Sequence, residues 1–429
     1  MQADEIEATL RAQPLPIAAP KGEGWVAPAY HGLSIANLPS TIAALLGADL
    51  PGTLPTLPQE TWHDWAVGLR RVVLVILDGL GYNLLRGRLA AGDGGVLARV
   101  ADAGTLIPLT SVFPSTTAAA LVSLQTGVAP ATHGWLAWEM YLREVGAAAN
   151  GILLCPIWSR QRDLLLGWGL SPEALVTTPT LAAGLSAEGI QTAALASRQF
   201  EGSGYTQMLY RGMGKYWGHA HASDFWTLLR QILTDTAGRR AFISAYWSGI
   251  DTLGHSYGPD SDPWQAEFRT MCHLLEAEFL ARLSPAERDG TALLITADHG
   301  QLCIPPDHAI RVDEDPVLSG HLMVPVVGEA RAAFIHPRPG RAGLIRDHIA
   351  ECFPGRFQVV SSAKAIDAGL LGGPPCDESY SRAGELLVLG RGRNALTRTK
   401  TRFPLLGKHG GLSADEMLVP LVAARLEAL

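Results

Sequence analysis

The chain has 429 residues, 47% of them apolar and 17% charged, and a formal net charge of -7. That composition excludes a disordered chain and is enough for one large α/β domain with an added lobe, or for two domains. The acidic balance argues against a nucleic-acid polymer as main partner, whereas small phosphorylated substrates stay open because metal ions can supply positive charge locally.

Residues 1–65 are rich in Pro and Ala and read as an irregular lead-in with short helices. The opening "MQADEIEATLRAQPLPIAAPKGEG" carries acids first and no basic segment followed by an apolar one, so no secretory signal is expected. No run of about 18 apolar residues occurs, so no membrane span is expected. Five cysteines, at 155, 272, 303, 352 and 376, form no ligand or pairing pattern. An odd, scattered set predicts reduced thiols in a cytoplasmic protein.

Order becomes legible at "RRVVLVILDGLGYN". Val72 to Leu77 is a short β-branched run that stops at Asp78 and Gly79, as a strand buried on both faces does. The runs "AFISAYWSGID" and "TALLITADHG" repeat the design, an apolar strand followed closely by Asp. Between them, "DPWQAEFRTMCHLLEAEFLARL" has helical spacing and Pro263 near its start. Alternation of this kind predicts a doubly wound α/β fold, a mostly parallel sheet with helices on both faces. Its core would span 66–330 and 400–429. Near 330 the pattern changes to "ARAAFIHPRPG", a helix-like "RAGLIRDHIAECF" and "GRFQVVSS", which predicts a small inserted lobe of strand, helix and strand over 331–399.

In such sheets functional groups gather beyond the carboxyl ends of the strands, where Asp78, Asp251 and Asp298 fall. With His255, His299 and, far downstream, His409 in "GKHGGLS", they make three carboxylates and three imidazoles. Mixed sets of this kind suit Zn2+, with Mn2+ or Fe2+ as substitutes. Six such groups and one hydroxyl are enough for two divalent ions and a phosphoryl-transfer site. The hydroxyl lies in "FPSTTAAA", where Ser115, Thr116 and Thr117 all stand at a helix start, and a capping role is open to any of them.

The ordered set "LDGLGYN", "FPSTTAAALVSLQTGVAPATHG", "SGIDTLGHSYGPDS", "TADHG" and "KHGG" resembles the alkaline phosphatase superfamily, specifically its type I phosphodiesterase/nucleotide pyrophosphatase branch, over roughly residues 70–425. The resemblance implies an alkaline-phosphatase-like core with a small cap lobe. Laying the branch pattern P-T-K-T-F-P-N onto this chain puts its nucleophilic threonine at Thr117, with Thr116 and Ser115 as rivals. It implies one ion held by Asp251, His255 and His409, and another by Asp78, Asp298, His299 and the Thr117 oxygen. The chain departs from the branch at Ala118, Ala119 and Ala120, and again at Trp138, which stands where the branch has an Asn for a phosphoryl oxygen.

The resulting expectation is a two-metal hydrolase of phosphate diesters or pyrophosphates working through a phospho-threonine. The alternatives are a phosphomonoesterase of the same superfamily and a non-catalytic, metal-stabilised protein that binds phosphorylated ligands. His133 of "ATHG" reads as packing. In the glycine- and aromatic-rich stretch "FEGSGYTQMLYRGMGKYWGHAH", Arg211 and Lys215 are candidate phosphate contacts, and Trp138 is a candidate pocket wall.

Overall fold

Seven short strands form the principal sheet of the computed structural model, which describes residues 2–20, 22–398 and 405–429. They are β1 (Arg71–Leu77), β2 (Thr105–Thr110), β3 (Gln191–Ser197), β4 (Lys215–His219), β5 (Ala241–Trp247), β6 (Thr291–Thr296) and β7 (Leu418–Arg425). Their order across the sheet is β2-β7-β6-β1-β5-β3-β4. β7 runs antiparallel to both its neighbours, and the pairs among β6, β1, β5, β3 and β4 are parallel. The fold is therefore the mostly parallel, doubly wound sheet that alternating strands and helices predict. Every residue of β1 is buried, which requires cover on both faces and explains why its side chains are apolar without alternation.

A second sheet also has seven strands, antiparallel throughout. The predicted strand, helix and strand of the small lobe appear in it as Ala332–Pro337, Ala342–Cys352 and Phe357–Ser361. The two strands are not neighbours, because Leu386–Gly390 lies between them. The sheet also reaches beyond 331–399. It takes in Leu322–Glu329 and three short strands, Glu139–Leu142, Ala147–Asn150 and Cys155–Pro156. Those three have two to four residues each, too few for a periodic signal in sequence. The expected boundary between residues 399 and 400 lies outside the described residues.

The lead-in is tied to the core. Its helix Ala3–Ala12 buries Ile6 and Leu10. The N–H of Ala29 donates to Thr110 Oγ1 at 2.9 Å, and the hydroxyl of Tyr30 accepts from the Phe113 N–H at 3.0 Å. These bonds hold the segment leading from β2 into the hydroxyl cluster. Among the described residues, no helix is long and apolar enough to cross a membrane.

Candidate active site

The candidate ligands gather in the turns and helices that follow strands of the principal sheet, with His409 added from the segment ahead of the last strand. Asp78 follows β1, and Asp298 and His299 follow β6. Asp251 and His255 lie on the helix Gly249–Tyr257 after β5, four residues apart and so on one face. Thr117 is the first residue of the helix Thr117–Thr126, which follows β2. His409 directly follows the short strand Gly407–Lys408, and the helix Ala414–Met417 separates it from β7. Gly79, at φ +75°, lets the turns after β1 and β5 approach each other. A Cβ there would stand 3.0 Å from Cα and Cβ of Asp251.

The groups converge in two overlapping sets. In one, ligand atoms of Asp251, His255 and His409 lie within 4.8 Å of one another, and in the other so do those of Asp78, Asp251 and His299. His255 Nε2 is 3.2 Å from Asp251 Oδ2. His299 Nε2 is 3.4 Å from Asp78 Oδ1, 3.7 Å from Asp298 Oδ2 and 3.0 Å from Thr117 Oγ1. Thr117 Oγ1 lies 3.5 Å from Asp78 Oδ1. Asp251 thus stands between the two sets rather than in one alone.

The surroundings of these groups fit divalent cations. Each imidazole has its Nδ1 against a backbone carbonyl: His255 on Gly407 at 2.7 Å, His299 on Gly300 at 3.0 Å and His409 on Ser115 at 3.1 Å. That contact places the proton on Nδ1 and leaves the Nε2 lone pair facing the site, which is the orientation a metal-ligating histidine needs. Asp298 Oδ1 accepts the N–H groups of Gly79 and His299, while its Oδ2 is buried without a hydrogen-bond partner among the described residues. Burial, then the charges of Asp298 and Asp251, hold Asp78 well above the ordinary carboxylate range. Among the described residues the three buried carboxylates have histidines and no Lys or Arg as ion-pair partners, and carboxylates drawn together in this way call for bound cations. Tyr246 and Gln301 orient two of the carboxylates by donating to Asp78 Oδ2 and Asp251 Oδ1.

The three adjacent hydroxyls separate by their partners. Ser115 Oγ donates to the Gly411 carbonyl at 2.8 Å, and Thr116 Oγ1 donates to Glu329 Oε1 at 2.7 Å. Only Thr117 faces the carboxylates and imidazoles. Thr116 occupies the N-cap position, yet its side chain makes no capping bond. Among the described residues, nothing accepts the N–H of Thr117 or Ala118, so the helix start directs unused donors at the site, where an anionic oxygen is favoured. His133 is a packing residue. It is buried, its Nδ1 accepts the Trp135 N–H at 3.0 Å, and burial, then Arg382, push it down to about 3.

Thr117 opens onto a cavity of about 470 Å³. Its wall is largely apolar and aromatic, with Leu121, Leu153, Phe200, Tyr205 and Tyr210 among its residues. The stretch 200–221 does contribute to this wall, but through its aromatic residues and not through its cations. The three guanidinium bonds of Arg211 go to the backbone carbonyls of Glu173, Val176 and Thr178, and Lys215 Nζ lies 3.5 Å over the Trp217 ring. Both cations are absent from the cavity wall. The Arg211 guanidinium is taken up by carbonyls of a segment 33 to 38 residues upstream and Lys215 by a neighbouring ring, which a reading of composition cannot foresee. Trp138 does line the cavity, and its N–H donates to Glu329 Oε1 at 2.7 Å.

Glu329, at the end of a second-sheet strand, was not among the expected site residues. One of its oxygens holds both the Thr116 hydroxyl and the Trp138 N–H, and the residue lines the cavity. Burial, partly offset by those two bonds, raises its carboxyl to about 7. No sequence pattern marks it; the signal was the empty Asn position beside Trp138.

Comparison with known proteins places this geometry. The family model for type I phosphodiesterase / nucleotide pyrophosphatase matches residues 72–412. No curated protein matches the chain. Among solved structures, murine ectonucleotide pyrophosphatase/phosphodiesterase 5 is similar at 17% identity and a TM-score of 0.63, over 82% of this chain and 87% of that one. An inactive variant of the same murine protein in complex with AMP gives 0.65 at 17% identity, over 83% and 88%. Phosphonoacetate hydrolase from Sinorhizobium meliloti 1021, in complex with phosphonoformate, gives 0.60 at 17% identity, over 84% and 94%. At these identities the likeness shows the fold.

Proposed function

The chain belongs to the type I phosphodiesterase / nucleotide pyrophosphatase family, and on that premise we propose that it hydrolyses phosphate diesters or pyrophosphates through a covalent phospho-threonine at Thr117. The observation that carries the reading is the position of Thr117 Oγ1, at a helix start, 3.0 Å from His299 Nε2 and at the head of an apolar cavity.

Thr117 Oγ attacks phosphorus, a Thr117–phosphoryl bond forms, and the bond to the leaving oxygen breaks. The N–H groups of Thr117 and Ala118 receive a non-bridging oxygen as charge builds on it. Water then attacks the phospho-threonine and restores the hydroxyl. Asp251, His255 and His409 would hold one divalent ion, and Asp78, Asp298 and His299, with the Thr117 oxygen, the other. Bound there, such ions lower the pKa of the attacking hydroxyl or water and offset charge on the leaving oxygen. The donor set favours Zn2+, with Mn2+ or Fe2+ as substitutes.

The apolar wall supports a diester over a monoester. A monoester has one organic arm, its leaving group, and three non-bridging oxygens, whereas a diester has a second organic arm that needs apolar surface of the kind this largely apolar wall offers. An organic substituent buries its surface there. The test is hydrolysis of bis-p-nitrophenyl phosphate by protein loaded with Zn2+ or Mn2+. A protein that binds the ions yet cleaves neither diesters, monoesters nor pyrophosphates overturns the reading.

A further inference from the structure

Gln301 follows Asp298 and His299 in the same loop and is buried behind the site. Its amide nitrogen donates to Asp251 Oδ1 and, at 3.2 Å, to the backbone carbonyl of the same residue. Both protons of one amide are thereby spent on one aspartate, which fixes that carboxylate relative to its own backbone. The amide sits only this way round, because the reverse would set Oε1 against two acceptors.

Oε1 is buried and has no hydrogen-bond partner among the described residues. It lies in a cradle made by two glycines. A Cβ on Gly254 would overlap Oε1, and one on Gly407 would stand 2.8 Å from it. Those glycines belong to the elements that carry the other two groups of the first set. Gly254 precedes His255 on the helix Gly249–Tyr257, and Gly407 opens the strand Gly407–Lys408 ahead of His409. The Gly407 carbonyl faces His255 Nδ1 at 2.7 Å, and the His255 carbonyl accepts the Leu406 N–H at 2.7 Å. The Gln301 amide therefore fills the seam where that helix and that strand meet.

An apolar side chain of similar length would fill the same seam without stranding a buried oxygen, which is costly. Packing thus does not account for an amide here, whereas the bonds to Asp251 do. Asp251 stands between the two ligand sets, and its Oδ2 lies 3.2 Å from His255 Nε2. With Oδ1 held by Gln301, Oδ2 is the oxygen left to ligate beside His255. An uncharged donor achieves this without neutralising the carboxylate, as Lys or Arg would.

We propose that Gln301 is a positioning residue that commits Asp251 to the set of His255 and His409, and keeps it from turning toward Asp78 and His299. The inference rests on the two-ion reading of the site and sharpens it, because it makes the two ions separable through a residue that touches neither. Partners that orient a ligand from behind are worth roughly ten- to hundredfold in metal affinity.

Equilibrium dialysis of Zn2+ against a chelator series tests this on two variants. Gln301→Met keeps the length and loses both donors, and Gln301→Asn carries an amide one methylene short of Asp251. In each, one ion should bind roughly tenfold or more weaker while the other stays within a few-fold. His255→Gln identifies which ion it is. In that background the first set is already broken, so adding Gln301→Met should leave the remaining ion unchanged. Turnover of bis-p-nitrophenyl phosphate by Gln301→Met should need about tenfold more Zn2+, with kcat at saturation within a few-fold of wild type. A general loss of fold gives no such rescue. Unchanged affinity, equal weakening at both ions as a collapsed fold would give, or further weakening in the double variant overturns the proposal. A wild type that binds two ions and cleaves no phosphate ester overturns the functional reading alone, because the dialysis is read without turnover.

Discussion

The imidazoles of His299 and His409 lie face to face, with ring centroids 3.7 Å apart and planes 18° from parallel. One histidine belongs to each expected ligand set. Two cationic rings would repel strongly at this distance. Burial, then the neighbouring His299, push His409 well below the ordinary histidine range, so it enters the site already neutral.

The proton balance of metal binding follows from that pair. His255 behaves in the opposite way: burial alone would lower it, but Asp251 at 3.2 Å holds it above its ordinary value. Asp78 is raised as well. Ligands must shed their protons before they coordinate. Loading the site should therefore release protons from His255 and Asp78, and more of them at about pH 5 than at about pH 8. Calorimetric titration in buffers of different ionisation enthalpy counts them. A release that does not fall over that range would contradict the raised state of the two groups.

Stability in the metal-free protein should fall as pH rises. The folded state keeps the Asp78 proton to a higher pH than the unfolded chain does, so folding loses ground from the ordinary Asp range upward through the raised value. Glu329 acts with the same sign, between 4.5 and about 7. Asp251 acts with the opposite sign. Burial alone would raise it, but His255 holds it below its ordinary range, and its contribution is lost only at acid pH. Bound cations remove the Asp78 penalty. The gap in Tm between metal-loaded and chelator-treated protein should therefore widen from about pH 5 to about pH 8. A gap that narrows across this range would contradict the assignment of Asp78 to the metal set.

Thr117→Ala should lower kcat on a diester by at least about a thousandfold while two ions remain bound, because the nucleophile is lost and the carboxylates and imidazoles stay. Thr117→Ser keeps an attacking oxygen and should retain measurable turnover. Ser115→Ala and Thr116→Ala remove bonds to Gly411 and Glu329 and not the nucleophile. Each should cost less than about tenfold. Full activity in Thr117→Ala would transfer the role to Thr116.

Glu329 is testable by pairing two substitutions. Gln keeps an oxygen acceptor for the Thr116 hydroxyl and the Trp138 N–H, whereas Ala leaves both donors without it. Losing a buried acceptor costs about 1–3 kcal/mol. Glu329→Ala should lower kcat roughly tenfold or more through the displaced hydroxyl loop, and Glu329→Gln should stay within a few-fold. Equal effects would mean that the charge of Glu329, and not its acceptor oxygen, is what the site uses.

These residues differ in how legible they were in the sequence, for physical reasons. Asp78, Asp251 and the Asp298–His299 pair were visible because a strand buried on both faces must be a short apolar run; an Asp just past one such run reads as a turn or helix cap, and only the recurrence with histidines made the set informative. The nucleophile needed geometry, since Ser115, Thr116 and Thr117 are equivalent as a string and separate only by their partners. Arg211 and Lys215 stand away from the cavity because a long cation can satisfy itself anywhere within reach, here on the carbonyls of Val176 and Thr178 and on the Trp217 ring. Glu329 was invisible because it reaches the site from the end of a strand of the second sheet, Leu322–Glu329, and a lone Glu there carries no motif. The Trp138 departure marked the spot but not the residue that stands beside it.

The loop behind His409 rests on a buried ion pair that ties the second sheet to the ligand set. Arg331 Nη2 lies 3.0 Å from Glu416 Oε2, with both side chains fully buried. Glu416 also accepts the Gly411 N–H at 2.9 Å and the Ser413 hydroxyl at 2.6 Å, which fixes the turn that presents His409. Removing one partner of such a pair leaves a buried charge uncompensated and costs about 3–5 kcal/mol. Arg331→Met should therefore lower stability by that amount in urea unfolding. Glu416→Gln removes the opposite charge but keeps an acceptor for Gly411, so its turn should hold better than in Glu416→Ala. The stronger claim concerns metal binding. If the pair only glues two sheets, Arg331→Met lowers stability and leaves the affinity of the folded protein for its ions unchanged. If it presents His409, the affinity for one of the two ions weakens and the other stays, which equilibrium dialysis against a chelator series separates.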